Sequence, residues 1–153
     1  MQKNSFKILE FDKILARLRD CATSTFGKEL AAKLEPADDY ETVRESLSLT
    51  TEAVKIFAIS APPLGGFRDV RETFKKIKLG SVAEAEELLD VLSTMCTMRQ
   101  VKVFFKETEI DAPQLKARAS ELEILGNLER QLDNAIDEHG ATKKIFRSGA
   151  RQY

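Results

Sequence analysis

The chain has 153 residues, 42% of them hydrophobic and 32% charged, which is enough for a folded core and excludes a disordered polymer. Lys and Arg total 24 against 25 Asp and Glu, a formal charge of -1, so the chain as a whole has no attraction for a polyanion. Aromatic residues make up 7% and Trp is absent, and the abundance of Leu, Ala, Glu and Lys favours helices and predicts an all-α fold.

The N-terminal third predicts two short helices. Apolar residues recur at helical spacing over about 9–22, which predicts a first helix there. The hydroxyl side chains of residues 23–25 can cap a second helix from about Phe26 to Leu34. Pro36 ends that helix because it disfavours helical geometry in the preceding residue and has no backbone N–H to donate.

A third helix is predicted over about 39–59. Asp38 and Glu41 have the spacing of a capping box at its start. Apolar residues then lie on one face of the helix. Paired prolines and glycines in the segment 61–66 cannot continue a helix and predict a loop. The apolar face consists of Val43, Leu47, Val54 and Phe57.

The next two helices are predicted on either side of Gly80. Asp69 can begin the fourth helix, with an apolar stripe, and Gly80 ends it. Ser81 and Glu84 repeat the capping-box pattern and open the longest helix, which extends to about Lys106. The stripe of the fourth helix consists of Val70, Phe74 and Ile77.

Leucines at helical spacing over 115–136 predict one or two further helices, interrupted at Gly126. Residues 137–140 have the composition of a turn. No strand with a period of two and no internal repeat is found in the sequence. We therefore expect one multi-helix bundle over 1–140, followed by a divergent tail over 141–153.

The tail differs from the rest in charge. The last thirteen residues hold four bases and no acid, which leaves 20 basic and 25 acidic residues in 1–140, a charge of -5. Little apolar pattern is present, so we expect a basic tail without a packed structure. Its bases are Lys143, Lys144, Arg147 and Arg151.

The two cysteines and the N-terminus indicate the compartment. Cys21 and Cys96 lie far apart on predicted helices, which argues against a disulfide or a C-x-x-C metal site and predicts small apolar filler. Charges at Lys3, Lys7 and Glu10 interrupt the apolar runs of the first eleven residues, which excludes a signal peptide or a membrane span. The sequence predicts a cytoplasmic protein.

Three candidate sites are interpreted as structural. Gly65 and Gly66 lack the surrounding residues of a nucleotide-binding loop, so we expect a turn. His139 is the only histidine, which excludes a His–His metal pair and is typical of an exposed turn residue. We expect the acids near the start of the longest helix to form a solvated helix end. We expect Met95, Cys96 and Met98 to pack in the core. The acids are Glu84, Glu86, Glu87 and Asp90.

A stripe of bases on the fourth helix is the one candidate binding surface. Spacings of three and four place Arg68, Arg71, Lys75 and Lys78 on one face, with Lys76 nearby. Such a stripe can neutralise phosphates, although it has no interleaved aromatic residues for base stacking. The alternatives are a solvated face and contact with nucleic acid or the ribosome.

Five blocks of sequence stand out together: Leu9-Glu10-Phe11-Asp12-Lys13-Ile14-Leu15; Gly27-Lys28-Glu29-Leu30 with Leu34-Glu35-Pro36; Thr51-Glu52-Ala53; Pro62-Pro63-Leu64-Gly65-Gly66-Phe67-Arg68-Asp69-Val70; and Ala135-Ile136-Asp137-Glu138. In this order they resemble the N-terminus of the second bacterial MutS family, the branch without mismatch-reading domains. The Pro-Pro-Leu-Gly-Gly block is the most specific, and the resemblance extends over about 1–140. The family-signature positions, expected to be structural, are Leu9, Glu10, Phe11, Pro36, Pro62, Pro63, Leu64, Gly65, Gly66, Arg68 and Asp69.

The resemblance implies a much longer bacterial parent protein. That parent begins with a helical core-and-lever region, followed by a coiled-coil clamp, a MutS-type ATPase and usually a C-terminal Smr nuclease domain. It implies ATP and Mg as cofactors of a homodimer that binds DNA or the ribosome, in suppression of homologous recombination or in rescue of collided ribosomes. The motifs of the ATPase and the nuclease have no counterpart in residues 1–153, so we expect no catalytic residue, cofactor or metal in this chain.

The family pattern is not continued after Gly140. A truncated or frameshifted reading frame, or an artificial chain end, would explain the change of pattern and the basic composition of 141–153. Helices that pack on the missing lever would then leave an apolar patch, which predicts self-association. The sequence therefore predicts a non-catalytic scaffold segment, and the alternative is a stand-alone module that binds nucleic acid or ribosomes through the basic stripe.

Overall fold

The structure, a computed structural model, describes residues 9–136, which form seven α-helices and no strand. The all-α prediction is confirmed. The chain divides into two compact units, Met1–Leu47 and Ser48–Tyr153, which are described separately, and the expectation of one bundle over 1–140 stays a prediction. The helices are α1 Phe11–Cys21, α2 Thr25–Ala32, α3 Tyr40–Ile59, α4 Arg71–Lys78, α5 Ala85–Glu107, α6 Pro113–Ser120 and α7 Gly126–Ala135.

In the first unit, α1 packs against α2. The Ser24 hydroxyl accepts a hydrogen bond from the backbone N–H of Gly27 at 3.0 Å, which confirms the predicted cap among residues 23–25. The second helix ends at Ala32 rather than at Leu34. Ala31 is the single buried apolar side chain among residues 9–47, so this unit has a very small core.

The start of α3 corrects the predicted cap by one residue. The carboxylate of Asp39, not of Asp38, accepts hydrogen bonds from the backbone N–H and the hydroxyl of Thr42, at 2.8 and 2.7 Å. A cap carboxylate reaches the third residue of its helix, and the helix begins at Tyr40. The hydroxyl bond is the main reason why the pKa of Asp39 lies below its ordinary value.

The apolar face of α3 predicted from the sequence is largely exposed. The buried residues of this helix are Glu52 and Ile56, which are one turn apart. The four residues of the predicted face are between 37% and 64% exposed, and Glu52, on a different side of the helix, contacts α6. These exposed residues are Val43, Leu47, Val54 and Phe57.

In the second unit, α5 is the central helix and packs against α6 and α7. It begins at Ala85 rather than at Ser81, because the capping carboxylate lies farther along the chain. Glu87 accepts a hydrogen bond from the backbone N–H of Glu84 at 2.7 Å. Gly80 has a φ of 83°, a left-handed conformation that suits the end of α4, as predicted.

The leucine-rich segment forms two helices, α6 and α7. Gly126 begins α7 and does not interrupt a helix, so that detail of the prediction is wrong. Two lysine ammonium groups bind carbonyl oxygens at chain turns: Lys102 donates to Leu122 at 2.7 Å, and Lys116 donates to Thr108 at 2.8 Å. None of the helices in 9–136 is both apolar and long enough to cross a lipid bilayer.

The start of α6 is held by a side chain of α3. The carboxylate of Glu52, which is 5% exposed, accepts hydrogen bonds from the backbone N–H groups of Gln114 and Leu115 at 3.2 and 2.9 Å. The first N–H groups of a helix have no partner within the helix. A buried carboxylate therefore caps α6 from another helix.

Candidate functional site

The glycine turn before α4 lies directly against α5. A Cβ atom added at Gly66 would overlap the hydroxyl oxygen of Thr97 and come within 3.3 Å of that of Ser93. The Ser93 hydroxyl donates a hydrogen bond to the carbonyl oxygen of Gly66 at 2.9 Å. The missing side chain at this position is what allows the backbone to approach the helix so closely.

The residue two positions later continues this contact. The backbone N–H of Arg68 donates to the hydroxyl of Thr94 at 3.1 Å. The Arg68 guanidinium donates to the carbonyl oxygen of Gly65 at 3.0 Å and lies 3.8 Å from the carboxylate of Asp90. Hydroxyl side chains of α5 thus bind the backbone of the turn, and the turn uses its polar groups within the fold.

Every base of the predicted stripe except Lys78 has an acidic side chain within 4 Å. Arg71 binds Asp69 at 2.5 Å, and this hydrogen bond is the main reason why the pKa of Asp69 falls to about 2. The remaining pairs are Arg68 with Asp90 at 3.8 Å, Lys75 with Glu72 at 2.7 Å, and Lys76 with Glu87 at 2.8 Å and Glu84 at 3.7 Å.

These pairs change the charge that the surface offers. Five acids stand beside the five bases, so the stripe and its neighbours are together close to neutral at pH 7. The ammonium of Lys76 lowers the pKa of Glu87, and Glu87 in turn raises the pKa of Lys76. Exposed ion pairs are weak and open readily, but their acids would also face an approaching phosphate.

The predicted apolar stripe of α4 is only partly covered. Phe74 and Ile77 are 48% and 41% exposed, and the buried residue of the helix is Thr73. A short helix of eight residues has little apolar surface to bury, and ion pairs with α5 contribute to its position instead. The apolar stripe of α4 is therefore largely exposed in the described residues.

The acids at the start of α5 form ion pairs with nearby bases and cap the helix. Glu84 and Glu87 bind Lys76, while Asp90 lies beside Arg68. Within residues 9–136, no three side chains of His, Cys, Asp or Glu are arranged to hold a metal ion.

The sequence does not reveal a polar cluster between α5 and α7. The carboxylate of Glu129 accepts hydrogen bonds from the Arg99 guanidinium, the shorter at 2.9 Å, and from the thiol of Cys96 at 3.1 Å. Burial is the main cause that raises the pKa of Cys96, so the thiol stays protonated. Cys96 is half-buried in a polar setting and Cys21 is exposed, which corrects the prediction of apolar filler for both.

Other predicted features lie beyond the described residues. These are the turn at 137–140 with His139, and the basic tail 141–153. Of the signature residues, Phe11 begins α1, Leu9 and Glu10 precede it, Pro36 follows α2, and the others lie in the glycine turn before α4. Leu9 is exposed, and Phe11 and Pro36 line an open groove of about 380 Å³ beside α1.

The sequence of this chain is similar to curated proteins named Endonuclease MutS2. One from Exiguobacterium sibiricum is 34% identical over 94% of this chain, and one from Halothermothrix orenii is 35% identical over 94%. A third, from Bacillus cereus, is 31% identical over 92%. The chain belongs to the MutS2 family. No protein-family profile matches it.

The similarity covers a small part of each relative. The chain spans 19% of the length of the first two MutS2 proteins and 18% of the third. The resemblance inferred from the sequence blocks is thereby confirmed at the level of the family. The endonuclease activity in the relatives' name belongs to proteins about five times as long.

Proposed function

We propose that this chain is a non-catalytic scaffold segment of a MutS2-type protein, corresponding to the N-terminal part of its core-and-lever region. The observation that carries the proposal is the docking of the glycine turn on α5. In the most specific block of the family resemblance, Gly66 and the backbone polar groups of the turn make contacts inside the fold. Residues used in this way position helices and do not perform chemistry.

The proposal assigns the chemistry to the rest of a longer protein. In this proposal, ATP, Mg and the nuclease centre belong to other segments of a longer protein, of which this chain would form about the 19% that it spans in its relatives. The action of that protein on DNA in recombination, or on collided ribosomes, is proposed for the whole protein. In this proposal, the helices hold the lever in place, so that the nucleotide-bound state of the ATPase is transmitted to the clamp.

A chimera tests the scaffold role. The aligned N-terminal segment of the Halothermothrix orenii relative would be replaced by this chain, and the nuclease activity and cooperative unfolding of the product would be measured. We expect both to be retained. A matched chimera with Gly66→Leu should lose both because the turn can no longer dock on α5. Full activity in that variant would contradict the proposal, as would ATP hydrolysis by the isolated chain.

The alternative function, nucleic-acid or ribosome binding through the stripe on α4, is less well supported because acids neutralise four of its five bases. It makes a clear prediction nonetheless. Affinity for branched DNA or ribosomes should fall steeply with salt and should be lost in the double variant Arg71→Glu, Lys75→Glu. Reversal of Lys55 and Lys106, which lie outside the stripe, is the control. Binding that survives the stripe reversal would exclude this surface.

A further inference from the structure

An open groove of about 650 Å³ lies where α3 and α5 end. Three apolar side chains, those of Ile59, Phe104 and Ile110, contribute to its lining. Ile59 is 73% exposed, so the groove offers apolar surface to solvent in the described part of the chain. All of its lining residues belong to the second unit.

The edge of this groove is negatively charged. Glu107 and Glu109 line it, and residues 107–112 contain three acids and no base. Two bases close by in the described sequence, Lys106 and Lys116, do not line the groove, and the Lys116 ammonium binds a backbone carbonyl oxygen at 2.8 Å. Because α3 and α5 both end here, their last carbonyl groups add partial negative charge.

The basic tail 141–153 has the opposite charge and two adjacent apolar residues. It contains four bases and no acid. In the run Lys143-Lys144-Ile145-Phe146-Arg147, the apolar pair is flanked by bases on both sides. A segment of this composition has too few apolar residues for a core of its own, but its charge and its apolar pair are complementary to an apolar groove with an acidic edge.

Two contacts show the direction in which the chain runs through α7. The Lys102 ammonium binds the carbonyl oxygen of Leu122 at 2.7 Å, before α7 begins. Farther along the chain, Glu129 binds Arg99 at 2.9 Å, nearer to the start of α5. Helix α7 therefore runs antiparallel to α5, and residue 136 lies toward the start of α5, away from the groove.

The tail is long enough to return to the groove. Ile136 lies seven residues beyond Glu129, and Phe104 lies five residues beyond Arg99 in the opposite direction. At about 1.5 Å per residue, Ile136 and Phe104 are roughly 20 Å apart along the helix axis. The nine residue steps from Ile136 to Ile145 span up to about 30 Å, so the apolar pair of the tail can reach the groove.

We propose that the tail 141–153 binds in the groove at the ends of α3 and α5 of the same chain. Ile145 and Phe146 contact the apolar lining, and the flanking bases pair with Glu107 and Glu109. Bound there, the tail covers apolar surface that is otherwise open to other proteins. The proposal does not depend on the scaffold role, because both partners of the contact belong to this chain and its tests need no chimera.

Limited proteolysis of the full chain tests the contact, because trypsin cleaves after the bases of the tail. In the double variant Glu107→Gln, Glu109→Gln, we expect the tail to be cleaved roughly threefold faster or more, as two exposed ion pairs are lost. The matched control, Glu121→Gln with Glu123→Gln, removes two exposed acids outside the groove and should be cleaved at the native rate. None of these substitutions creates or removes a trypsin site.

The apolar part of the contact has its own variant. Ile59→Asn should also speed cleavage of the tail, because it makes the groove polar at a residue that contributes little to the folded core. The control Leu79→Asn changes a leucine that is 86% exposed outside the groove, and its tail should be cleaved as in the native chain. Circular dichroism checks that both variants remain helical.

Cross-linking tests whether the tail belongs to the same chain. In a background with Cys21→Ser and Cys96→Ser, the pair Ile59→Cys, Ser148→Cys should form a disulfide within one chain on mild oxidation, and Leu79→Cys, Ser148→Cys should form one more slowly. Tail cleavage that is unchanged by Glu107→Gln, Glu109→Gln overturns the proposal, as does the absence of the disulfide. A disulfide that forms only between two chains also overturns it and assigns the groove to the tail of another copy.

Discussion

Gly66 lies where α5 leaves no room for a side chain, so Gly66→Ala should destabilise the fold. The added methyl would overlap the Thr97 hydroxyl, and we expect the free energy of unfolding to fall by about 1–3 kcal/mol. Gly65→Ala is the matched control because a Cβ there meets nothing within 4 Å. Chemical denaturation measures both variants.

A double-mutant cycle tests whether overlap with Thr97 causes the loss of stability in Gly66→Ala. Thr97→Ala removes the atom that the new methyl would strike, so the cost of Gly66→Ala should be smaller in that background. Strict additivity of the two substitutions would contradict the proposed overlap. The test separates close approach of the backbone from any general preference of the turn for glycine.

Glu52 makes a second prediction at the level of one residue. Glu52→Gln leaves a single acceptor oxygen for two backbone donors and brings an amide N–H toward one of them. We expect a loss of about 1–3 kcal/mol in the free energy of unfolding, the usual cost of an unsatisfied buried group. The exposed substitution Glu123→Gln should change it little. Equal stability of the two variants would show that the cap of α6 is dispensable.

The structural roles of some single residues could be predicted from the sequence, and those of others could not. The hydroxyl cap at Ser24 and the left-handed Gly80 follow from local chemistry, and both were predicted. Glu52 reads as an ordinary charged residue on a helix surface. Its partners lie more than 60 residues away, and nothing in the local pattern indicates them.

At the scale of the element, the contact between α5 and α7 should depend on pH. Arg99 is the main cause that holds the pKa of Glu129 below its ordinary value of 4.5. The folded chain therefore binds a proton at Glu129 less readily than the unfolded chain does. The resulting stabilisation is complete above the ordinary pKa and is lost as pH falls through the lowered one.

Glu129→Gln should remove this pH dependence. Urea unfolding at about pH 7 and about pH 3.5 would compare the native chain with the variant. We expect the native chain to be more stable at the higher pH and the difference between the two proteins to shrink at the lower pH. A difference that is unchanged by pH would mean that Arg99 and Glu129 contribute through packing alone.

Helix α3 shows where element-level prediction fails. Its bounds were predicted to within one residue, because a cap and a proline-rich loop mark both ends. Its apolar face was predicted from the spacing, but the spacing does not reveal that this face is largely exposed. The buried residues are Glu52 and Ile56, and a periodicity argument cannot distinguish a buried apolar face from an exposed one.

At the scale of the whole molecule, the two units should differ in local stability. Of the seven apolar side chains that are buried among residues 9–136, six lie in the second unit and Ala31 lies in the first. We expect amide hydrogens of α1 and α2 to exchange with solvent sooner than those of α5, since opening costs least where few apolar contacts are broken. Hydrogen exchange read by mass spectrometry would measure this. Equal protection of α1 and α5 would contradict it.

The basic residues of the candidate site could be predicted from the sequence, but not all of the acids that form ion pairs with them. Spacing along the helix correctly places Arg71, Lys75, Lys76 and Lys78 near one another, and it also reveals the nearby acids Asp69 and Glu72. The prediction that Arg68 lies on the same helix is wrong, because α4 begins only at Arg71 and Arg68 lies in the preceding turn. It does not reveal that Glu87 and Asp90 of α5 reach the same surface, since those contacts depend on how two helices pack. The charge of a surface is therefore a property of the assembled fold.

The small core has a thermodynamic consequence. The increase in heat capacity on unfolding comes from apolar surface that enters water, and twenty large apolar side chains among residues 9–136 are already exposed in the folded chain. The monomer should therefore unfold with an unusually small heat-capacity change for its length. Its stability curve should be shallow, with cold and heat weakening the fold only gradually.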